Sequence, residues 1–195
     1  GSSLVGSEMC IRDRAITAQI IMNSRKRYKK SELINFTYNI LKKVGLNNSN
    51  SKIISDLIIR ADERGVWSHG IVRLPVYVNR IEKKAAKKNP NLKLKKISNN
   101  IFHLSGDNGL GYLAANAGIK KCVSLAKEKG IGLVAISKSN HFGMAANYLE
   151  FASKNKCIAW VYTNASKALP PHGAMAPFFG TSPFAFGCPT KNKNK

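Results

Sequence analysis

Gly130-Ile131-Gly132-Leu133-Val134-Ala135-Ile136-Ser137-Lys138-Ser139-Asn140-His141-Phe142-Gly143 decides the fold class of this 195-residue chain. Residues 132–136 form a compact apolar run of strand length, read as buried on both faces. Before it, Leu113 to Lys129 carries Ala117, Ile119, Val123, Leu125 and Ala126 in an amphipathic helical pattern that Gly130 closes. After it, a helix from about Met144 to Asn155 leads to a strand over Cys157 to Thr163. This strand-helix-strand order predicts a parallel pair joined by a right-handed crossover, and so an α/β fold. Ligands of such units sit beyond the carboxyl ends of the strands. His141 and the segment Thr163-Asn164-Ala165-Ser166 are therefore expected on the ligand side.

The upstream chain reads as helical. Ser31 is placed to cap a helix whose Leu33, Phe36, Ile40, Leu41 and Val44 share a face, with Gly45 as its stop. A second helix follows Asn50, with Ile53, Ile54, Leu57, Ile58 and Ala61 inward and Gly65 at its end. Pro75 suits the first turn of a third helix running to about Lys84, with Val78 and Ile81 inward. Ser68 to Arg73 then form the turn before that helix. Leu92 to Ile97 and Ile101 to Leu104 read as strands, and Asp107-Asn108-Gly109 as a turn. The proline- and glycine-rich end reads as a long ordered loop closing on a short strand, Phe184 to Phe186. The expected division is a non-native or disordered 1–22, a helical region 23–90 and an incomplete α/β domain 91–195.

Composition narrows the class. Hydrophobic residues make up 44% of the chain, enough for a real core. The apolar segment Ala15 to Met22 is far short of the roughly 20 residues that span a bilayer. Cys10, Cys122, Cys157 and Cys188 have neither zinc-site nor redox spacing, and read as small apolar residues of a reducing, cytoplasmic compartment. Lys and Arg number 32 against 10 Asp and Glu, a net charge of +22. That raises nucleic acid as a partner, yet the excess is mostly lysine in three runs rather than base-reading arginine. Solvated lysine faces are the preferred reading, with a basic nucleic-acid or polyanion-binding module as the alternative function.

The chemistry gathers in two places. Ser68-His69-Gly70-Ile71-Val72-Arg73-Leu74-Pro75 brings a hydroxyl, an imidazole and a guanidinium into one turn. Ser139-Asn140-His141-Phe142-Gly143 brings a second imidazole to the end of a strand. Two histidines and an arginine can hold a carboxylate and move a proton beside it. Alternatively, each histidine could cap a helix or sit in the core, and Arg73 could serve a surface or interface ion pair. His103 and His172 share no metal-ligand spacing with His141, so no metal is expected.

Taken together, Arg64 to Pro75 with Tyr77, Gly106-Asp107-Asn108-Gly109-Leu110-Gly111, Ser139 to Gly143, Thr163 to Ser166, Pro171-His172-Gly173-Ala174 and Gly180 to Gly187 resemble one family. It is the nicotinamide-dependent malate/L-lactate dehydrogenase family of the second type. The resemblance runs from about Ser31 to Thr190 and covers about the first half of a family member. Two motifs depart from the family pattern: His172-Gly173-Ala174 where an aromatic precedes Gly-Gly, and Ser182 where the family has Asn. No Gly-x-Gly-x-x-Gly follows a strand, so the implied cofactor domain is not of the Rossmann kind.

The resemblance implies an oxidoreductase that moves hydride between NAD or NADP and a 2-hydroxy or 2-keto acid, acting as a homodimer. It implies Arg73, Ser68 and Tyr77 on the substrate, with Arg73 clamping its carboxylate. His141 and His69 are rival acid/bases, a choice that the resemblance leaves open; His141, at a strand end, is favoured, with His69 polarising the substrate. Asn164, Ala165, Ser166 and Thr181 are the expected cofactor contacts.

Overall fold

The computed structural model describes residues 27–191. The readings of residues 1–22, including the apolar run at Ala15 to Met22, lie outside that range, as does Cys10. Helix α1 (Lys30–Lys43) has Glu32 in its first turn and Lys42 and Lys43 in its last, matching the helix dipole. Ser31 is not its cap: the helix starts after Lys29, which makes no capping bond, and Ser31 lies inside the first turn. Phe36 is not inward either, and is 55% exposed. The buried stripe is centred on Thr37 and Leu41, an i,i+4 pair one step around the helix from Phe36.

Helix α2 (Asn48–Glu63) begins earlier than the apolar pattern indicated, because the Asn47 side chain accepts the Asn50 N–H at 2.8 Å. Ile54, Leu57, Ile58 and Ala61 are buried as expected, whereas Ile53 is only partly covered. Two short 3-10 turns, Trp67–His69 and Ile71–Arg73, lead into helix α3 (Leu74–Glu82), with Pro75 in its first turn.

Strands β1 (Lys93–Lys96), β2 (Ile101–Gly109) and β3 (Leu133–Ser139) form one sheet in that spatial order. β1 pairs antiparallel with β2, and β2 parallel with β3. Helix α4 (Gly111–Lys129) connects the parallel strands. Asp107 to Gly109 are not a turn. β2 continues through them with left-handed backbone at Asp107 and Asn108, and the register with β3 shifts between Ser105 and Gly109. The Asp107 carboxylate stabilises this bulge, accepting from Lys87 Nζ at 2.6 Å and Asn91 N–H at 2.9 Å.

Two further expectations fail. β3 is not buried on both faces: Leu133 is 52% exposed, because among the described residues only the opposite face, that of Val134 and Ile136, packs against a helix. Nor does the strand after helix α5 (Ala146–Lys154) pair with β3. Strand β4 (Ala159–Tyr162) instead pairs antiparallel with β5 (Phe184–Gly187) in a separate two-stranded sheet. The parallel pair exists one unit earlier, at β2 and β3. Trp160 faces Phe186 and Tyr162 faces Phe184 across the small sheet, and all four rings are largely exposed. Cys188 is exposed rather than buried, and Cys122 and Cys157 are half-buried.

One core joins the helical region to the α/β elements. Ile54 and Ile58 of α2 and Leu74, Tyr77 and Ile81 of α3 belong to the same buried cluster as Tyr112 and Leu113 of α4 and Tyr148 of α5. This packing brings the turn before α3 against the loop after β3.

Candidate active site

The Ser68–Arg73 turn is held by Asp62, whose carboxylate accepts the Ile71 N–H at 2.7 Å. Burial raises the Asp62 pKa, and the bond from Ile71 opposes that rise. Gly70 makes the approach possible, since a Cβ there would lie 1.9 Å from Asp62 Oδ1. Within the turn, Arg73 Nε donates to the Ser68 carbonyl at 2.7 Å. The terminal guanidinium nitrogens make no hydrogen bond among the described residues and are free for an anion. Ser68 Oγ lies 2.9 Å from His69 Nδ1.

The opposing wall is the loop after β3. Asn140 fastens it to β2, its amide donating to Asn108 and to the Gly109 carbonyl while its Oδ1 accepts from Arg80 at 3.0 Å. Gly143 turns the loop with φ 78°, and a Cβ there would meet the Tyr112 ring at 2.4 Å. The Tyr148 hydroxyl donates to the Phe142 carbonyl.

His141 therefore faces His69, with ring centroids 5.6 Å apart and planes 25° from parallel. Its Nδ1 lies 2.9 Å from the Tyr77 hydroxyl, which lies 3.0 Å from the Tyr112 hydroxyl. Both tyrosines are buried, and desolvation raises both pKa values, so they stay protonated. Burial, reinforced by His69, Arg73 and Arg80, lowers the His141 pKa to about 4. Burial and the Arg73 charge lower that of His69. Both rings are thus neutral at pH 7, beside two guanidinium groups.

The structure brings Ser68, His69, Arg73, Tyr77 and His141 together. Asn164, Ala165, Ser166 and Thr181 are on the loop between β4 and β5, and make no hydrogen bond to that group among the described residues. The loop doubles back there: Gly180 passes so close to the Ala165 carbonyl that a Cβ would lie 2.3 Å from it. The site has three further members. Arg80 stands three residues past Tyr77 on one helix, a spacing that could have revealed it. Tyr112 and Asp62 have no such sequence signal. Among the described residues no group of three or more His, Cys, Asp or Glu could hold a metal ion, and His103 is bonded to Ser137 at 2.8 Å.

The comparisons with known proteins converge. A family profile described as malate/L-lactate dehydrogenase matches residues 28–195. The chain belongs to that family. The malate/(S)-sulfolactate dehydrogenase of Methanothermus fervidus is 37% identical over 77% of this chain and 44% of its own. The malate dehydrogenase structure from Pyrococcus horikoshii OT3 superposes with a TM-score of 0.83 at 33% identity, covering 86% of this chain and 48% of its own. Two more distant family members are each 28% identical over 77% of this chain. They are the ureidoglycolate dehydrogenase (NAD(+)) of Escherichia coli O157:H7 and the (2R)-3-sulfolactate dehydrogenase (NADP(+)) of Chromohalobacter salexigens, covered to 43% and 45%. The chain spans about half the length of the curated family members it matches. The nucleic-acid alternative finds no support among them.

Proposed function

We propose that this chain carries the acid/base and substrate-anchoring half of an oxidoreductase that interconverts a 2-hydroxy acid and a 2-keto acid with NAD or NADP. The observation that carries the reading is the facing pair His69 and His141 with the free end of Arg73 beside them. Arg73 binds the substrate carboxylate, a charge-assisted contact that fixes which face of C2 is presented. Ser68 and Tyr77 stand next to the two imidazoles, at 2.9 Å from His69 Nδ1 and His141 Nδ1 respectively. The two imidazoles polarise the substrate oxygen and exchange its proton.

Bound nicotinamide would supply or accept the hydride at C2. The residues fit such a group. Ser166 and Thr181 hydroxyls and the Asn164 amide are exposed and make no hydrogen bond among the described residues, which suits the sugar hydroxyls and phosphates of a dinucleotide. With Ala165 they would form its contact surface. The domain division near residue 90, a homodimeric assembly and a cytoplasmic location belong to the same reading. No helix among the described residues is long and apolar enough to cross a membrane.

The test is a panel of 2-keto acids mixed with NADH or NADPH and the protein expressed from its full reading frame. Loss of reduced-nicotinamide absorbance with one acid is expected. A folded protein that consumes neither cofactor with any acid, and binds neither by fluorescence, contradicts the proposal.

A further inference from the structure

Asp62 sits where a lone carboxylate is disfavoured. It lies in the last turn of α2, at the carbonyl end of the helix dipole, which repels an anion. It is half-buried, and no cation pairs with it among the described residues. Its carboxylate accepts one hydrogen bond there, from the Ile71 N–H at 2.7 Å.

That bond caps the second 3-10 turn, Ile71–Arg73. The residue in the capping position is Gly70, which has no side chain to do so. Asp62 reaches over from α2 instead, into the room that Gly70 leaves. The turn it caps ends at Arg73, whose N–H donates to the Gly70 carbonyl at 3.0 Å and whose Nε donates to the Ser68 carbonyl. The outer nitrogens of Arg73 therefore inherit the position that Asp62 gives to Ile71. The C-terminal half of α2 also holds the opposite wall. Arg60 and Arg64 pair with Glu150 of α5, and the Leu57 carbonyl accepts from the Asn147 amide at 2.9 Å. Helix α5 follows the His141 loop directly. One stretch of helix thus sets the clamp against the histidine loop.

We infer that Asp62 is a positioning residue: through Ile71 it fixes Arg73 relative to the His141 loop, and so sets the affinity for the acid. This rests on the proposed reaction, in which Arg73 holds the carboxylate. A charged acceptor holds an amide about twice as strongly as a neutral one. Without it the turn drifts, and the clamp loses hold of ground state and transition state alike. Such a loss raises KM and leaves kcat nearly in place.

The test uses the full-frame protein and the keto acid that it turns over. Asp62→Ala should raise KM for that acid about tenfold, with kcat and the affinity for reduced nicotinamide each changed less than about threefold. Asp62→Asn keeps a neutral acceptor and should fall between wild type and Asp62→Ala. An unmoved KM in Asp62→Ala, a tenfold loss of kcat at unchanged KM, or equal KM in the two variants overturns the inference. Hydrogen exchange on the wild type gives a reading that needs neither variant to fold. The Ile71 amide should exchange at least about a hundredfold more slowly than in an unstructured chain. Exchange at the unstructured rate overturns the inference. Absence of turnover with every acid defeats the dehydrogenase reading instead, and the Ile71 exchange still decides whether Asp62 holds the turn.

Discussion

Arg73 shows how much one residue can be asked to do. Its Nε anchors the Ser68 carbonyl, which leaves its outer edge for the carboxylate of the proposed substrate. Lysine cannot make both contacts, since its ammonium is a single point donor. Arg73→Lys should raise KM for the keto acid roughly tenfold or more, the cost of a charge-assisted bond; steady-state kinetics check this. His141 has a stability signature of its own. Its folded pKa of about 4 lies below the ordinary 6.5. A lowered pKa contributes stability that is fully present above pH 6.5 and is lost as pH falls toward 4. Urea midpoints of the wild type should therefore drop over that window, and those of His141→Gln should drop less. The five clustered residues were legible because one short motif and one strand end supplied them. Tyr112 was not: it follows Gly111 in a recognisable motif, but nothing local says that its hydroxyl meets Tyr77 from another helix.

At the scale of elements, the loop after β3 depends on Gly143. Gly143→Ala combines a left-handed backbone with a Cβ against the Tyr112 ring, and should cost about 2 kcal/mol or more. Thermal melts measure this, and His141 should lose its register with Tyr77. A second hold on the site is Glu150 of α5. It pairs with Arg60 at 3.2 Å and Arg64 at 3.5 Å at the end of α2, and with Lys154 on its own helix. The hydrogen bond from Lys154, and then the arginine charges, lower its pKa against the opposing effect of burial. Its contribution is present above the ordinary carboxylate range and is lost as pH falls through the lowered value. Glu150→Gln should lower the melting temperature at pH 7 and flatten its salt dependence. Helices were read well because each announces itself by its own periodicity. Strand partners were not, because pairing is non-local. β4 chose β5 across a loop of some twenty residues, and an apolar run such as Leu133 to Ile136 cannot report that no layer covers one of its faces.

On the scale of the whole molecule, charge and fold give separate messages. The +22 net charge lies largely in lysine runs outside the sequence motifs that form the clustered site. Any binding to duplex DNA should be weak and disappear by about 200 mM salt, without loss of site function. Tight binding that survives such salt would restore the polyanion reading. The site itself is made between units: helices α2 and α3 supply the anchors, and the parallel β2–β3 unit supplies His141. Their shared core holds the two imidazoles 5.6 Å apart.

In the proposed reaction, hydride reaches C2 of an acid held by Arg73 between the two histidines. The most direct measurement uses reduced nicotinamide deuterated at C4 and follows the 2-hydroxy acid product by mass spectrometry and NMR. Deuterium at C2, with product formation reduced at least tenfold in both His69→Gln and His141→Gln, is the predicted result. Product without deuterium at C2, or undiminished product from both variants, would contradict it.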